Sequence, residues 1–127
     1  MRKRNKYGVP LEHQEQANLI AWKFAKMREI PELWLLHAIP NQGVARLKNL
    51  QTEGASKGVP DLCLPVARGG FHGLYIELKR VKGGKISPEQ YEWMGRLSNE
   101  GYRVEVCYGA DEARAVILSY LGKEQAE

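Results

Sequence analysis

The chain has little cysteine and no long apolar run, and each shortage closes off a class of protein. Only two cysteines, Cys63 and Cys107, occur in 127 residues. Neither belongs to a CxxC pair, so the sequence offers no cysteine zinc site and no disulfide framework. Each lies in an apolar, strand-like segment and is expected to serve as a small core side chain. No apolar stretch approaches the roughly 18 residues that a membrane-spanning helix requires. The opening "MRKRNKYGVPLEHQEQ" is basic but runs on into polar residues. It lacks the apolar segment of a secretory signal, so the expected compartment is the cytoplasm. Internal repeats and low-complexity tracts are absent as well.

What is present has ordinary globular proportions: 43% hydrophobic and 27% charged residues, enough for one core but not two. The net charge of +4 favours an anionic partner. Basic residues gather in "RKRNK" near the N-terminus and in "KRVKGGK" at 79–85. Each cluster reads either as a solvated tail or turn, or as a set of phosphate contacts. The expected organisation is a basic arm over 1–10, a folded domain over 11–121 and a frayed tail over 122–127.

The pattern predicts a first helix from about Leu11 to Arg28, entered through Pro10 and closed before Pro31, with Ile20, Phe24 and Met27 at helical spacing. Glu12 and Gln16 share one row at its N-terminal end, and Glu15 falls beside Leu19 and Trp22. "LWLLHAI" reads as a strand entering the turn "PNQG", and residues 44–53 are weakly helical. "VPDLCLPVA" and "LYIELKRV" read as two strands joined by the glycine-rich "RGGFHG", which favours an antiparallel pair. Ser87 and Pro88 then open a helix that stops at Gly101. "YRVEVCYG" alternates as a strand, and "ADEARAVILSYLG" closes with a helix. The order implies a single α/β domain, a mixed sheet flanked by helices. Trp22, Trp34 and Trp93 lie in apolar patterns and are expected in the core, and His37 is assigned no role.

One stretch resists a purely structural reading. In "LYIELKR" the side chains of Tyr75, Glu77 and Lys79 share one face of a strand, while Ile76 and Leu78 point to the other. Taken alone, Glu77 and Lys79 make an ion pair on an exposed strand. Pairing through the 68–73 turn, however, brings Asp61 toward Glu77. Two carboxylates in a partly buried site repel unless a cation lies between them. Mg²⁺, which takes hard oxygen ligands, suits Asp61, Glu77 and the backbone carbonyl of Leu78, with Mn²⁺ as the alternative ion. Lys79 would then orient a water or offset charge on a phosphate.

The string "GVPD", with the glutamate of "IELK" sixteen residues after its aspartate, resembles the PD-(D/E)xK nuclease superfamily. With "EHQEQ", "IPNQG", "SKGVPDL", "SPEQYEW" and "GYRVEV" in order around it, the chain looks like the VRR-NUC family over roughly residues 11 to 108. The resemblance implies a restriction-endonuclease-like fold with Asp61, Glu77 and Lys79 as catalytic core. It also implies an acid from the first helix, with Glu12 preferred over Glu15 and Gln16 as the accompanying glutamine. Gln90 of "SPEQ" is similar to a glutamine facing the active site in that family, and Asn41 and Gln42 fall where it carries a polar turn. Lys57, Arg80, Lys82 and Lys85 are the candidate DNA contacts, Lys57 being equally a solvated loop lysine.

The expected function is a Mg²⁺-dependent DNA endonuclease resembling a Holliday-junction resolvase. It would act as a homodimer on branched DNA, because two symmetric cuts match a two-fold pair of sites. The lack of accessory modules points the same way. A flap or general structure-specific nuclease is the alternative, and a DNA-binding module without catalysis a further one.

Overall fold

The computed structural model describes residues 7–40 and 52–123. Asn41, Gln42, most of the weakly helical 44–53 segment, the first six residues of the basic arm and the end of the tail lie outside the described residues.

Helix α1 spans Glu12–Lys26. The Gln14 side chain accepts from the Leu11 N–H at 2.8 Å, satisfying one of the donors that a helix start leaves open. The core stripe is centred on Leu19, which is fully buried, with Ile20, Trp22 and Met27 packed against its flanks. Phe24, expected on that stripe, is 61% exposed. Five residues at about 100° each turn it roughly 140° away from Leu19.

The segment expected as a strand over 33–39 is mostly something else. Pro31–Leu35 wind as a 3₁₀ turn, and only His37–Ala38 form strand β1. With three residues per turn, positions i and i+3 eclipse. Leu33 and Leu36 are therefore both buried, while Trp34, expected in the core, is 70% exposed.

Strand β2 (Leu62–Leu64) pairs antiparallel with β1 and with β3 (Leu74–Lys79). Arg68 and Phe71 close the turn between them by exchanging backbone hydrogen bonds. Helix α2 (Pro88–Asn99) then crosses to β4 (Arg103–Tyr108), which lies parallel to β3, and α3 (Ala110–Tyr120) follows at once. The sheet order is β1-β2-β3-β4.

Leu74, Ile76 and Leu78 project from one face of β3 into a core shared with Leu19, Leu33, Leu62, Cys107, Ala113 and Ile117. Helices α1 and α3 cover that face. Helix α2 reaches the other, where Gln90 meets Glu77. Both cysteines are free and buried, as expected of core side chains. Among the described residues no helix is long and apolar enough to cross a membrane.

Candidate active site

The register Leu62↔Ile76 sets Asp61 opposite Glu77, one residue beyond the ladder. This is the approach that the hairpin reading predicts. Asp61 is fastened by the backbone of the partner strand, its Oδ2 accepting from the Leu78 N–H at 2.7 Å. In an antiparallel ladder the N–H and C=O of one residue face the same neighbour. The Lys79 carbonyl faces the other way, accepting from the Gly109 N–H at the end of β4. The Leu78 carbonyl is therefore directed to the side where Asp61 sits.

Glu77 is 1% exposed and Lys79 6%, burial rarely seen for such residues without partners. Lys79 Nζ lies 3.5 Å from Glu77 Oε2, and Gln90 Nε2 donates to the same oxygen at 3.0 Å. Gln90 is itself held at the start of α2. Its backbone N–H donates to Ser87 Oγ at 3.2 Å, and its side-chain oxygen accepts from the Ser87 N–H at 2.8 Å. This is a capping box whose glutamine has a second use. The remaining oxygen, Glu77 Oε1, is buried and has no hydrogen-bond partner among the described residues.

Burial, then the charge of Asp61, pushes the Glu77 carboxyl up to about 8 despite the opposing ammonium of Lys79. Burial likewise raises Asp61, against the Leu78 N–H, which favours its charged form. The pair is thus short of positive charge in the absence of a cation. A buried carboxylate oxygen without a donor, a second carboxylate opposite it and a carbonyl on the same edge form a hard-oxygen set of the kind Mg²⁺ accepts. Because Mg²⁺ keeps several waters and often uses only one or two carboxylates, no larger cage is needed. Indeed no group of three or more His, Cys, Asp or Glu side chains gathers among the described residues.

The loop before Asp61 is pressed against α2. Gly58 has φ +96°, and a Cβ there would lie 2.7 Å from the Glu89 backbone. Only glycine tolerates both conditions, so "GVPD" docks directly beside the residue that precedes Gln90.

The other sequence candidates divide. Gln16 lines a groove with His13, Ala17, Ile20, Ile39, Pro40 and Asp61 itself. His13 was not anticipated as a groove residue, although its place one turn before Ala17 and Gln16 made it readable. Glu12 stands at the start of α1 with its Oε2 3.8 Å from Arg80 Nη1, outside the Asp61–Glu77 pair. Glu15 is buried and bonded to the start of α3.

Arg80 is engaged within the protein. Its guanidinium donates to the carbonyls of Lys82 at 2.9 Å and Gly83 at 2.7 Å and lies 5.7 Å from the Tyr7 ring centroid. Lys82 and Lys85 are exposed on the loop that Arg80 braces, and Lys57 is exposed on a groove shared with Glu89, Glu92 and Trp93. His37 is exposed, its ring nitrogen 2.9 Å from the Leu35 carbonyl.

Residues 3–111 match the VRR-NUC domain. The fold is similar to a solved structure described as a VRR-NUC domain protein, with a TM-score of 0.74 and 32% sequence identity, covering 90% of each chain. No curated protein matches the chain. With Asp61, Glu77 and Lys79 gathered at one end of the sheet, the chain belongs to the VRR-NUC domain family, nucleases of the restriction-endonuclease-like superfamily.

Proposed function

We propose that this chain is a divalent-cation-dependent endonuclease that cuts branched DNA in the cytoplasm, as a homodimer, with the four-way junction as preferred substrate. The observation that carries the reading is Glu77 Oε1, a buried carboxylate oxygen without a hydrogen-bond partner among the described residues, opposite Asp61. Asp61, Glu77 and the Leu78 carbonyl would hold Mg²⁺, with Mn²⁺ as the alternative, and Glu12 would complete the set through a water. When bound, such an ion lowers the pKa of a coordinated water and offsets charge on the phosphate oxygens.

The chain's own residues supply the rest. Lys79 presents an ammonium next to Glu77, where it orients the attacking water and stabilises charge on the phosphate. Gln90 holds Glu77 Oε2, which leaves Oε1 for the cation. Gln16, Asn41, Gln42, Lys57, Lys82 and Lys85 are the proposed DNA contacts. Arg80 supports that set by shaping the loop that carries Lys82.

The junction preference rests on symmetry, since a two-fold pair of sites matches two symmetric cuts. Exposed Phe24, Trp34 and Tyr91 are of the aromatic type enriched where subunits meet.

The test is cleavage of labelled four-way, flap and linear DNAs, with and without Mg²⁺, by wild type and Glu77→Ala. Paired symmetric nicks near the crossover, dependent on Mg²⁺ and lost in the variant, are expected. Cuts confined to flaps or ends would replace the junction preference with a flap nuclease. Salt-sensitive binding without any cleavage would make the chain a DNA-binding module.

A further inference from the structure

Glu15 is a buried acid that takes part in none of the ion pairs among the described residues. It lies one turn before Leu19 on the stripe of α1 that faces the core and is 7% exposed. A carboxylate taken out of water is costly unless hydrogen bonds replace the lost solvent. Its replacement comes from another helix: Glu15 Oε1 accepts from the Ala110 N–H at 3.1 Å, across 95 residues of sequence.

Ala110 is the first residue of α3, and the residue before it is Gly109, which has no side chain to cap the open N–H groups. A negative group at that end also complements the helix dipole. Glu15 therefore caps α3 from outside.

The same corner holds the catalytic strand. Gly109 donates its N–H to the Lys79 carbonyl at 2.8 Å. Its φ is +95°, and a Cβ there would lie 2.8 Å from Val81 Cγ1 and 3.5 Å from Glu15 Oε2. The backbone at 109–110 is thus gripped on one side by Lys79 and on the other by Glu15, with Val81 packed on the glycine between them.

We infer that Glu15 is a positioning residue: by capping α3 through Ala110 it fixes the Gly109 corner, and this holds the Lys79 end of β3 at its place in the site. The inference rests on the nuclease reading of Glu77 and Lys79. It assigns the two acids of α1 different tasks. Glu12 faces Arg80 at the site's edge, and Glu15 acts through backbone without touching the cation.

The experiment compares Glu15→Ala, Glu15→Gln and Glu12→Gln in the full chain by three readouts. These are amide exchange at Gly109 and Ala110, Mg²⁺ affinity by calorimetry, and single-turnover cleavage of four-way DNA at saturating protein. Glu15→Ala is expected to accelerate exchange at both amides and to slow cleavage about tenfold, because small displacements of catalytic groups are expensive in rate. Its Mg²⁺ affinity should stay within about threefold of wild type, less than the roughly tenfold or more lost when a ligand or its support is removed. Glu15→Gln should restore most of the rate, since the amide oxygen accepts the same N–H. Glu12→Gln should leave both amides protected.

If Glu15→Ala does not fold, Glu15→Asp carries the comparison, because it keeps the carboxylate but draws it back from Ala110. Loss of Mg²⁺ affinity in Glu15→Gln by about tenfold overturns the inference and makes Glu15 a ligand. A full cleavage rate in Glu15→Ala with only a lower melting temperature overturns it too, leaving a purely structural cap. Absence of cleavage by the wild type strikes the nuclease reading instead, while unchanged exchange at Gly109 and Ala110 in Glu15→Ala strikes the cap itself.

Discussion

The two faces of β3 are buried to nearly the same degree and serve opposite ends. On one face Leu74, Ile76 and Leu78 are at most 1% exposed and join an apolar cluster with residues of α1, α3 and the sheet. On the other, Glu77 and Lys79 are 1% and 6% exposed and meet a carboxylate, an amide and each other. The apolar face gains from leaving water. The polar face loses solvation that its partners restore only in part, as the buried Glu77 Oε1 records. Alternation along a single strand thus separates the part that stabilises the fold from the part proposed to perform chemistry.

The sharpest way to break that contrast is to truncate one residue on each face. Glu77→Ala should lower cleavage by about three orders of magnitude or more, the several kcal/mol of charge stabilisation that a bound cation supplies. Glu77→Gln, which keeps the volume and an acceptor for the buried Lys79 ammonium, should barely lower the urea midpoint. Leu78→Ala should instead cost about 2–5 kcal/mol of stability by urea unfolding. Equal destabilisation by Glu77→Gln and Leu78→Ala would erase the division between the faces.

Gln90→Ala tests the support beneath the polar face. It leaves the Ser87 hydroxyl in place but removes the donor to Glu77. If Glu77 holds the cation as proposed, cleavage should fall about 10- to 100-fold, the loss typical when a partner orienting a metal ligand is removed. An undiminished rate would show that Lys79 alone suffices to orient Glu77.

A smaller effect is expected in the pH dependence of stability without cation. The folded-state Glu77 carboxyl is raised from 4.5 to about 8, so its protonated form is favoured by folding. The associated stability is complete below the unfolded value and is lost as pH rises through about 8. Melting temperature in chelator should therefore fall more steeply between about pH 5.5 and about pH 8.5 in wild type than in Glu77→Gln. Added Mg²⁺ should raise it more at the higher pH, where the carboxylates are free to bind. Identical profiles for wild type and Glu77→Gln would mean that Glu77 is not held protonated.

The mildest change is expected outside the strand. Replacing exposed Lys82 and Lys85 by alanine should weaken binding similarly for all DNA sequences and lower the salt slope by about two, one unit per phosphate contact. An unchanged slope would move the DNA path away from this loop.

Much of the candidate site is legible in the sequence, because it obeys local rules. Strand alternation puts Glu77 and Lys79 together, a glycine-rich link makes the hairpin antiparallel, and the hairpin brings Asp61 to Glu77. Ser87 and Pro88 mark the start of α2, and resemblance singled out Gln90. The misreadings share a different origin. "LWLLHAI" has the apolar content of a strand, yet a 3₁₀ turn buries Leu33 and Leu36 and turns Trp34 outward. Phe24 fits a helical repeat, but the stripe actually used is centred on Leu19. Which of several periodic faces meets the core depends on what packs there, and periodicity alone does not rank them.

Charged residues mark the same boundary. That an acid of α1 accompanies the site is what the family resemblance implies, and the basic run 79–85 reads from composition either as a solvated turn or as phosphate contacts. That Glu15 caps α3, that Glu12 meets Arg80, and that Arg80 is bound to its own loop are contacts between distant segments. The chain's order of residues settles which groups alternate onto one face and where helices start, because those are matters of neighbouring dihedrals. Only the folded arrangement settles which buried carboxylate oxygen finds a donor and which has none among the described residues, because that depends on partners brought together across the whole chain.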